Sequence, residues 1–273
     1  MRFALFAVLA ALAVPAAAAP AKTLVAVCAP GSPGSTAEAQ SALDAFATTA
    51  GAKAKEALAA VYDETEDAGV KRMAGAGVAI VSLPFYLKHG AELGLHARLL
   101  AVQEHKDATQ KWSLVAKKGK VHDAAGLAGF KLVSSAAFAP RFVKGSALGA
   151  WGALPASVTF SQTGAVLSSL RKAAQGESIA VLLDAEQAAS IASLPFAGDL
   201  EVVAQSPALP VGIVATIDAR FPEAQWPPLE AALVGLAKDP AGAKAMAGIQ
   251  MTKFVALDAA ALASAQKAYE AAK

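Results

Sequence analysis

Cysteine is almost missing: the 273 residues contain one, Cys28, so no internal disulfide is available and stability must come from packing. Charge is sparse as well, at 17% of residues, and no basic tract stands out, which leaves a nucleic-acid partner without electrostatic support. The four histidines, His89, His96, His105 and His122, are spaced by seven, nine and seventeen, and none fits His-Glu-x-x-His or another metal-ligand pattern. There is no Gly-x-Ser-x-Gly, and no serine stands near a histidine in a recognisable context, so a hydrolase has no support. The segment 31–36 (GSPGST) resembles a phosphate loop only superficially, because it lacks the lysine and the glycine spacing. The acidic group Asp63, Glu64, Glu66, Asp67 lacks the alternating Asp/Asn and Gly pattern of a calcium loop, and reads as a solvated approach to a helix. No catalytic residue, metal or cofactor is assigned, and the chain reads as a non-enzyme.

What the chain does have is alanine, apolar runs and a distinctive start. Arg2 is followed by an uninterrupted apolar run from Phe3 to Val14, then Pro15 and the small residues Ala16 to Ala19. Charge, apolar stretch and small residues in that order predict a cleavable signal peptide over 1–19, with a cut after Ala18 or Ala19. A run of about 12 residues is too short for the ~20 that a membrane-spanning helix needs. Cys28 is not read as a lipid-anchored cysteine, because Val27 before it is bulky and the apolar run is distant; a buried strand position suits it better. The expected mature chain of about 250 residues is soluble, acts outside the cytoplasm, and is long enough for one large domain or two modest lobes.

Short apolar runs alternate with helical stretches. Residues 22–29 (KTLVAVCA), 77–82 (GVAIVS), 95–103, 130–134 and 178–183 (SIAVLL) read as strands, most of them buried on both faces. Ser35 or Thr36 caps a helix over 37–50, Thr65 one over roughly 66–74, and a helix carrying Phe85, Leu87 and Leu93 follows Pro84. Residues 54–61 fit either a strand or a helix end. Further strands are expected at 111–117, 157–160, 200–204 and 211–217. Helices are expected at 123–127, 138–150, 163–175 and 185–193, and almost throughout 223–272 with breaks at Asp239-Pro240 and Gly248. This rhythm predicts an α/β fold with mainly parallel sheets flanked by helices.

Several of these strands end in small polar or turn residues before a helix: Ala29-Pro30-Gly31-Ser32, Ser82-Leu83-Pro84, Ser134-Ser135 and Asp184. In an open α/β sheet the carboxyl ends of strands line the ligand crevice, and helix N-termini there offer free N–H groups. Each such residue taken alone is an ordinary helix cap; their convergence from both halves of the chain points to a ligand site.

The segment 76–86 (AGVAIVSLPFY) resembles a strand–small–Pro–hydrophobic–Tyr block of the phosphate/phosphonate-type periplasmic solute-binding proteins. In the same family, 112–130 (WSLVAKKGKVHDAAGLAGF) is similar to the strand after the first crossover, and 182–184 with 200–210 to the second. Asp239-Pro240, Gly248-Ile249 and Phe254 are similar to the terminal region. The resemblance implies a two-lobed type 2 periplasmic-binding fold, with residues 20–106 and 207–273 in one lobe, 107–206 in the other, and a hinge near 105–112 and 204–210. It further implies a monomer that closes around a small molecule and passes it to an inner-membrane ABC permease. A sensory or assembly domain on the same fold, with no transported solute, is the other reading.

Two departures bear on the ligand. The hydroxyl-rich loop of phosphonate binders is reduced here to Ser134 and Ser135, followed by Phe138 and Phe142, and the acid expected before the strand at Ala76 is missing. With Phe85, Tyr86, Phe138, Phe142 and Trp151 nearby, the ligand is either a phosphonate- or phosphate-like anion or a less polar metabolite. The candidate ligand residues are therefore Pro30, Gly31, Ser32, Ser82, Phe85, Tyr86, Ser134, Ser135, Phe138 and Asp184, with Tyr86 facing either the cleft or the core.

Overall fold

Valine-, leucine- and isoleucine-rich runs of four to nine residues cannot cover a helical face, and in the computed structural model most of them pair into two separate sheets. Residues 22–32, 34–103 and 107–272 are described; the signal peptide expected over 1–19 lies outside them. The first stretch runs β1 (Thr23–Cys28), α1 (Thr36–Ala54), β2 (Leu58–Asp63), α2 (Glu66–Met73), β3 (Val78–Ser82), α3 (Leu83–Leu93) and β4 (Leu95–Gln103). The middle contains β5 (Thr109–Gln110), β6 (Ser113–Lys117), β7 (Lys131–Ser134), β8 (Thr159–Gln162), α4 (Val166–Ala174), β9 (Ile179–Leu183), α5 (Ala185–Ser190) and β10 (Leu200–Gln205). The last part adds β11 (Leu209–Pro210), β12 (Gly212–Ile217), α6 (Trp226–Gly235), α7 (Pro240–Gly248), β13 (Met251–Ala256) and α8 (Ala259–Ala271).

The first sheet has the order β13-β4-β12-β3-β1-β2 and the second β10-β6-β9-β7-β8. Both are mixed. β2, β1 and β3 are parallel, and β12 lies antiparallel between β3 and β4, so β4 points the same way as β3. In the second sheet β8, β7 and β9 are parallel, and β6 runs against both β9 and β10. The internal strand that opposes the majority is, in each sheet, the one the chain enters on crossing from the other. The two crossings pair with each other as a short antiparallel ribbon, β5 with β11.

Helices α1, α6 and α7 cover one face of the first sheet, where Phe46, Trp226, Leu229 and Met246 meet Val25, Ile80, Val214 and Phe254. Helices α2 and α3 cover the other face, and the fit of α2 is close: a β-carbon on Gly69 would sit 2.2 Å from the Cys28 sulfur. On the second sheet, Leu170 and Ala173 of α4 pack on Val133 and Val181.

Three expectations change. The helix expected over 138–150 is a turn followed by a π-helical segment, Phe142–Ala147: Pro140 has no N–H to give, and Leu148 N donates to Val143 O at 3.0 Å. Residues 223–272 are not continuously helical, because β13 lies within them and pairs antiparallel with β4. Its Phe254 packs 6.1 Å from Phe46, and that burial outweighs the helical preference of the surrounding alanines. Finally, α8 does not stay with the first sheet. It crosses back onto the π-helical segment, where Ser146 Oγ donates to Ala265 O at 2.8 Å and Arg141 Nε and Nη2 donate to the carbonyls of Ala272 and Glu270. The open choice at 54–61 is settled by Lys55, whose φ of 57° ends α1 before β2 begins at Leu58.

Candidate functional site

The carboxyl ends of β1, β3, β7 and β9 point toward one another, and between them lies a cleft of about 980 Å³. On the first side the chain leaves β1 through Pro30 and Gly31, the latter at φ 85°, into α1. Ser35 caps α1 reciprocally with Glu38, so hydroxyl and carboxylate satisfy two N-terminal N–H groups locally, those of Glu38 and Ser35. β3 ends at Ser82, the N-cap of α3, whose side chain makes no capping bond and whose buried Oγ has no partner. Pro84 follows in the first turn, where its missing N–H costs nothing.

On the second side β7 ends in a turn at Ser134–Phe138, with Ser134 Oγ accepting from Ala136 N at 3.1 Å. β9 ends at Asp184, which caps α5 by accepting from Gln187 N at 2.8 Å. Gln110 of the ribbon accepts from Ala185 N at 3.3 Å, tying α5 to the crossing. Trp112 stands at the start of β6 with its backbone fixed by reciprocal bonds to Ser206 and its ring edge-on to Phe142 at 5.3 Å. Its indole N–H is buried without an acceptor.

Seven of the ten sequence candidates line this cleft: Pro30, Gly31, Ser32, Ser82, Ser135, Phe138 and Asp184. Three do not. Phe85, on α3, is fully buried, its ring tilted by 48° against the His89 ring at 5.0 Å. Tyr86 is 8% exposed and faces the core, where burial pushes its phenol above the ordinary range. Ser134 is fully buried and spent on its own turn. Sequence reasoning missed Gln110, Trp112, Gly164 and Gln187; the first two sit where the chain enters the second sheet, which is the one signal that could have flagged them.

The described lining residues include no lysine, arginine or histidine, and three carboxylates, Glu64, Asp184 and Glu186. Glu64 accepts from Thr36 N at 2.7 Å and Asp184 is a cap, so both are held in place. Burial, with the nearby Asp63 and Glu66 carboxylates adding to it, pushes the Cys28 thiol up to about 12, where it is no nucleophile. No group of metal-binding side chains occurs among the described residues. The acidic group at 63–67 disperses instead: Asp63 pairs with Arg72, Glu64 with the α1 backbone, and Glu66 with Lys88 and His89. No described helix is long and apolar enough to cross a membrane.

No family model and no curated protein sequence matches the chain. Solved structures do. XAC2383 from Xanthomonas citri, seen bound to ATP, superposes with a TM-score of 0.71 at 12% identity over 91% of this chain and 98% of its own. PhnD1 from Prochlorococcus marinus, in complex with methylphosphonate, gives 0.60 at 11% identity over 91% and 97%. A binding-protein component of an ABC phosphonate transporter from Pseudomonas aeruginosa gives 0.59 at 14% identity over 89% and 84%. At these identities the likeness is one of fold: two-lobed, mixed α/β, of the periplasmic-binding-protein type.

Proposed function

We propose that this chain is an exported, monomeric solute-binding protein that captures a small molecule between its lobes and delivers it to an inner-membrane ABC permease. The observation that carries this reading is the cleft itself: about 980 Å³, walled by the strand ends of both sheets, with Gln110 of the two-stranded ribbon in its lining. The signal-peptide pattern of residues 1–19 supports action in the periplasm. The lobes divide at the crossings near 105–112 and 204–210, with α8 carried by the second lobe.

The lining also bears on the ligand. The structural relatives were seen with ATP and methylphosphonate, and one belongs to a phosphonate transporter. Here, however, the described lining offers an anion no cationic side chain and surrounds it with Glu64, Asp184 and Glu186. Burying a dianion without charged donors is costly. Among the two ligand classes the sequence allows, the less polar metabolite fits better, seated against Trp112 and Phe138 and oriented by Ser82, Ser135 and Gln187.

Thermal-shift screening of the mature protein tests this. A ligand at 100 times its dissociation constant stabilises the folded form by about 2.7 kcal/mol, a shift of several degrees. Uncharged aromatic or aliphatic metabolites are expected to raise the melting temperature, and methylphosphonate, phosphate and ATP to leave it unchanged. A response to the phosphorus anions alone would overturn the ligand class; no response to any probe would overturn solute binding.

A further inference from the structure

We infer that the closed arrangement of the two lobes is built into the chain, through a backbone clasp at Gly31 and Gly164 and a side-chain latch from Lys88 to Phe138. The inference rests on the reading of the cleft as a solute site, and concerns how that site is held shut.

The clasp is an approach with no room for a side chain. A β-carbon on Gly31 would lie 2.9 Å from Ser135 Cβ and 3.1 Å from Ser135 O. One on Gly164 would lie 2.7 Å from Gly31 O. Gly31 belongs to the loop after β1, on the first lobe; Ser135 and Gly164 belong to the second. Those two are one rigid unit, since Thr163 N donates to Ser134 O at 3.1 Å. The first lobe's loop therefore seats directly on the second lobe's backbone.

The latch grips the other end of the same turn. Lys88, on α3 of the first lobe, donates to Phe138 O at 2.8 Å and sits 5.8 Å over the Phe138 ring. Its ammonium is oriented from behind by Glu66 Oε1 at 2.5 Å, the oxygen that also receives His89 Nε2 at 2.5 Å. The turn 135–138 is thus held at both ends by contacts between protein groups, and Lys88 does not line the cleft. Both contacts form whatever the cleft contains, and they raise the closed fraction of the chain. Apparent affinity scales with the fraction of molecules in the binding-competent state, so these contacts tune affinity in addition to anything Ser135 and Phe138 give the ligand directly, and Lys88 does so from outside the cleft.

Gly164 is the informative position. Its φ is not in the left-handed region, so alanine is allowed there by the backbone and is opposed only by the Gly31 carbonyl across the cleft. Gly198→Ala, at a position with nothing within 4 Å, is the control. The readout is the spin-label distance between Lys71→Cys on α2 and Lys172→Cys on α4, both exposed, with Cys28 buried and unreactive. Gly164→Ala is expected to move the distance distribution of the unliganded protein to longer values and Lys88→Met to move it by less, while Gly198→Ala leaves it in place. With any probe that binds, Gly164→Ala is expected to weaken affinity tenfold or more. An unchanged distribution in a folded Gly164→Ala protein overturns the inference; if that variant does not fold, an unchanged distribution in Lys88→Met does so. The distance measurement stands even if every probe fails and the solute-binding reading falls.

Discussion

The two lobes are finished in different ways. The first sheet is sandwiched by helices that follow its own strands, with α1, α6 and α7 on one face and α2 and α3 on the other. The second has α4 and α5 on one face, while the other is completed by the π-helical segment and by α8, the last helix of the chain. Phe142, Val143, Leu262 and Ala265 join a hydrophobic cluster that continues through to Cys28 and Phe85 in the first lobe. The α1, α6 and α7 face of the first lobe is thus closed by its own elements, whereas the second lobe's inner face is completed by a helix reaching it across the molecule and shares its core with α2 and α3.

Glycine substitutions separate the two cases. A β-carbon on Gly145 would meet Ala268 O at 2.1 Å, and the obstacle is helix backbone, so α8 must move away from the π-helical segment. Gly145→Ala is expected to cost about 3 kcal/mol in denaturant unfolding, the upper end for overpacking, with amide exchange rising at 142–148, at 259–271 and in β6, β7 and β9, and little on the α1, α6 and α7 side of the first lobe. Uniform loss of protection throughout both lobes would contradict the dependence of the second lobe on α8. Gly69→Ala presses instead on Cys28, at 2.2 Å from its sulfur and 2.9 Å from its Cβ; the sulfur can turn but the Cβ cannot, so α2 must shift slightly and about 2 kcal/mol is expected. Its marker is chemical: Cys28 should react with a thiol reagent faster than in the wild type, because the thiol is displaced from its enclosed position.

The smallest effect concerns Glu66. Burial opposes its ionisation, but hydrogen bonds from Lys88 and His89 outweigh that and hold its carboxyl below the ordinary glutamate range. A carboxyl depressed in the folded state contributes stability above the unfolded pKa, about 4.3, and loses it as pH falls through the folded value. The melting temperature of Glu66→Gln should therefore lie a few degrees below wild type near pH 6, with the gap closing below about pH 4. A gap that persists in acid would remove the carboxylate from the contact.

Much of this architecture can be read from the residues. Thr65 and Asp184 announce their helices because a short oxygen side chain before an apolar-periodic stretch has one favourable use, and both are caps. The apolar runs of β1, β3 and β9 are too short to be anything but buried strands. β13 was hidden because Thr252, Phe254 and Val255 are embedded in alanine, whose helical preference dominates any local window; only pairing with β4 reveals the strand. The same limit applies to the site. Residues at strand ends were found because topology brings such ends together. Which of the next few turn inward was not legible: Phe85 and Tyr86 follow Ser82 on α3 but turn into the core. Gly164 has no side chain to announce a contact, and its importance appears only when the opposing carbonyl is in place.

Backbone amide resonances followed during titration with the strongest probe from the thermal screen test the solute-binding reading most directly. Binding between the lobes should shift amides on both walls together, Gly31 and Ser82 on one side with Ser135 and Gln187 on the other, at one shared dissociation constant. Shifts confined to one lobe, or lying away from the cleft, would contradict it.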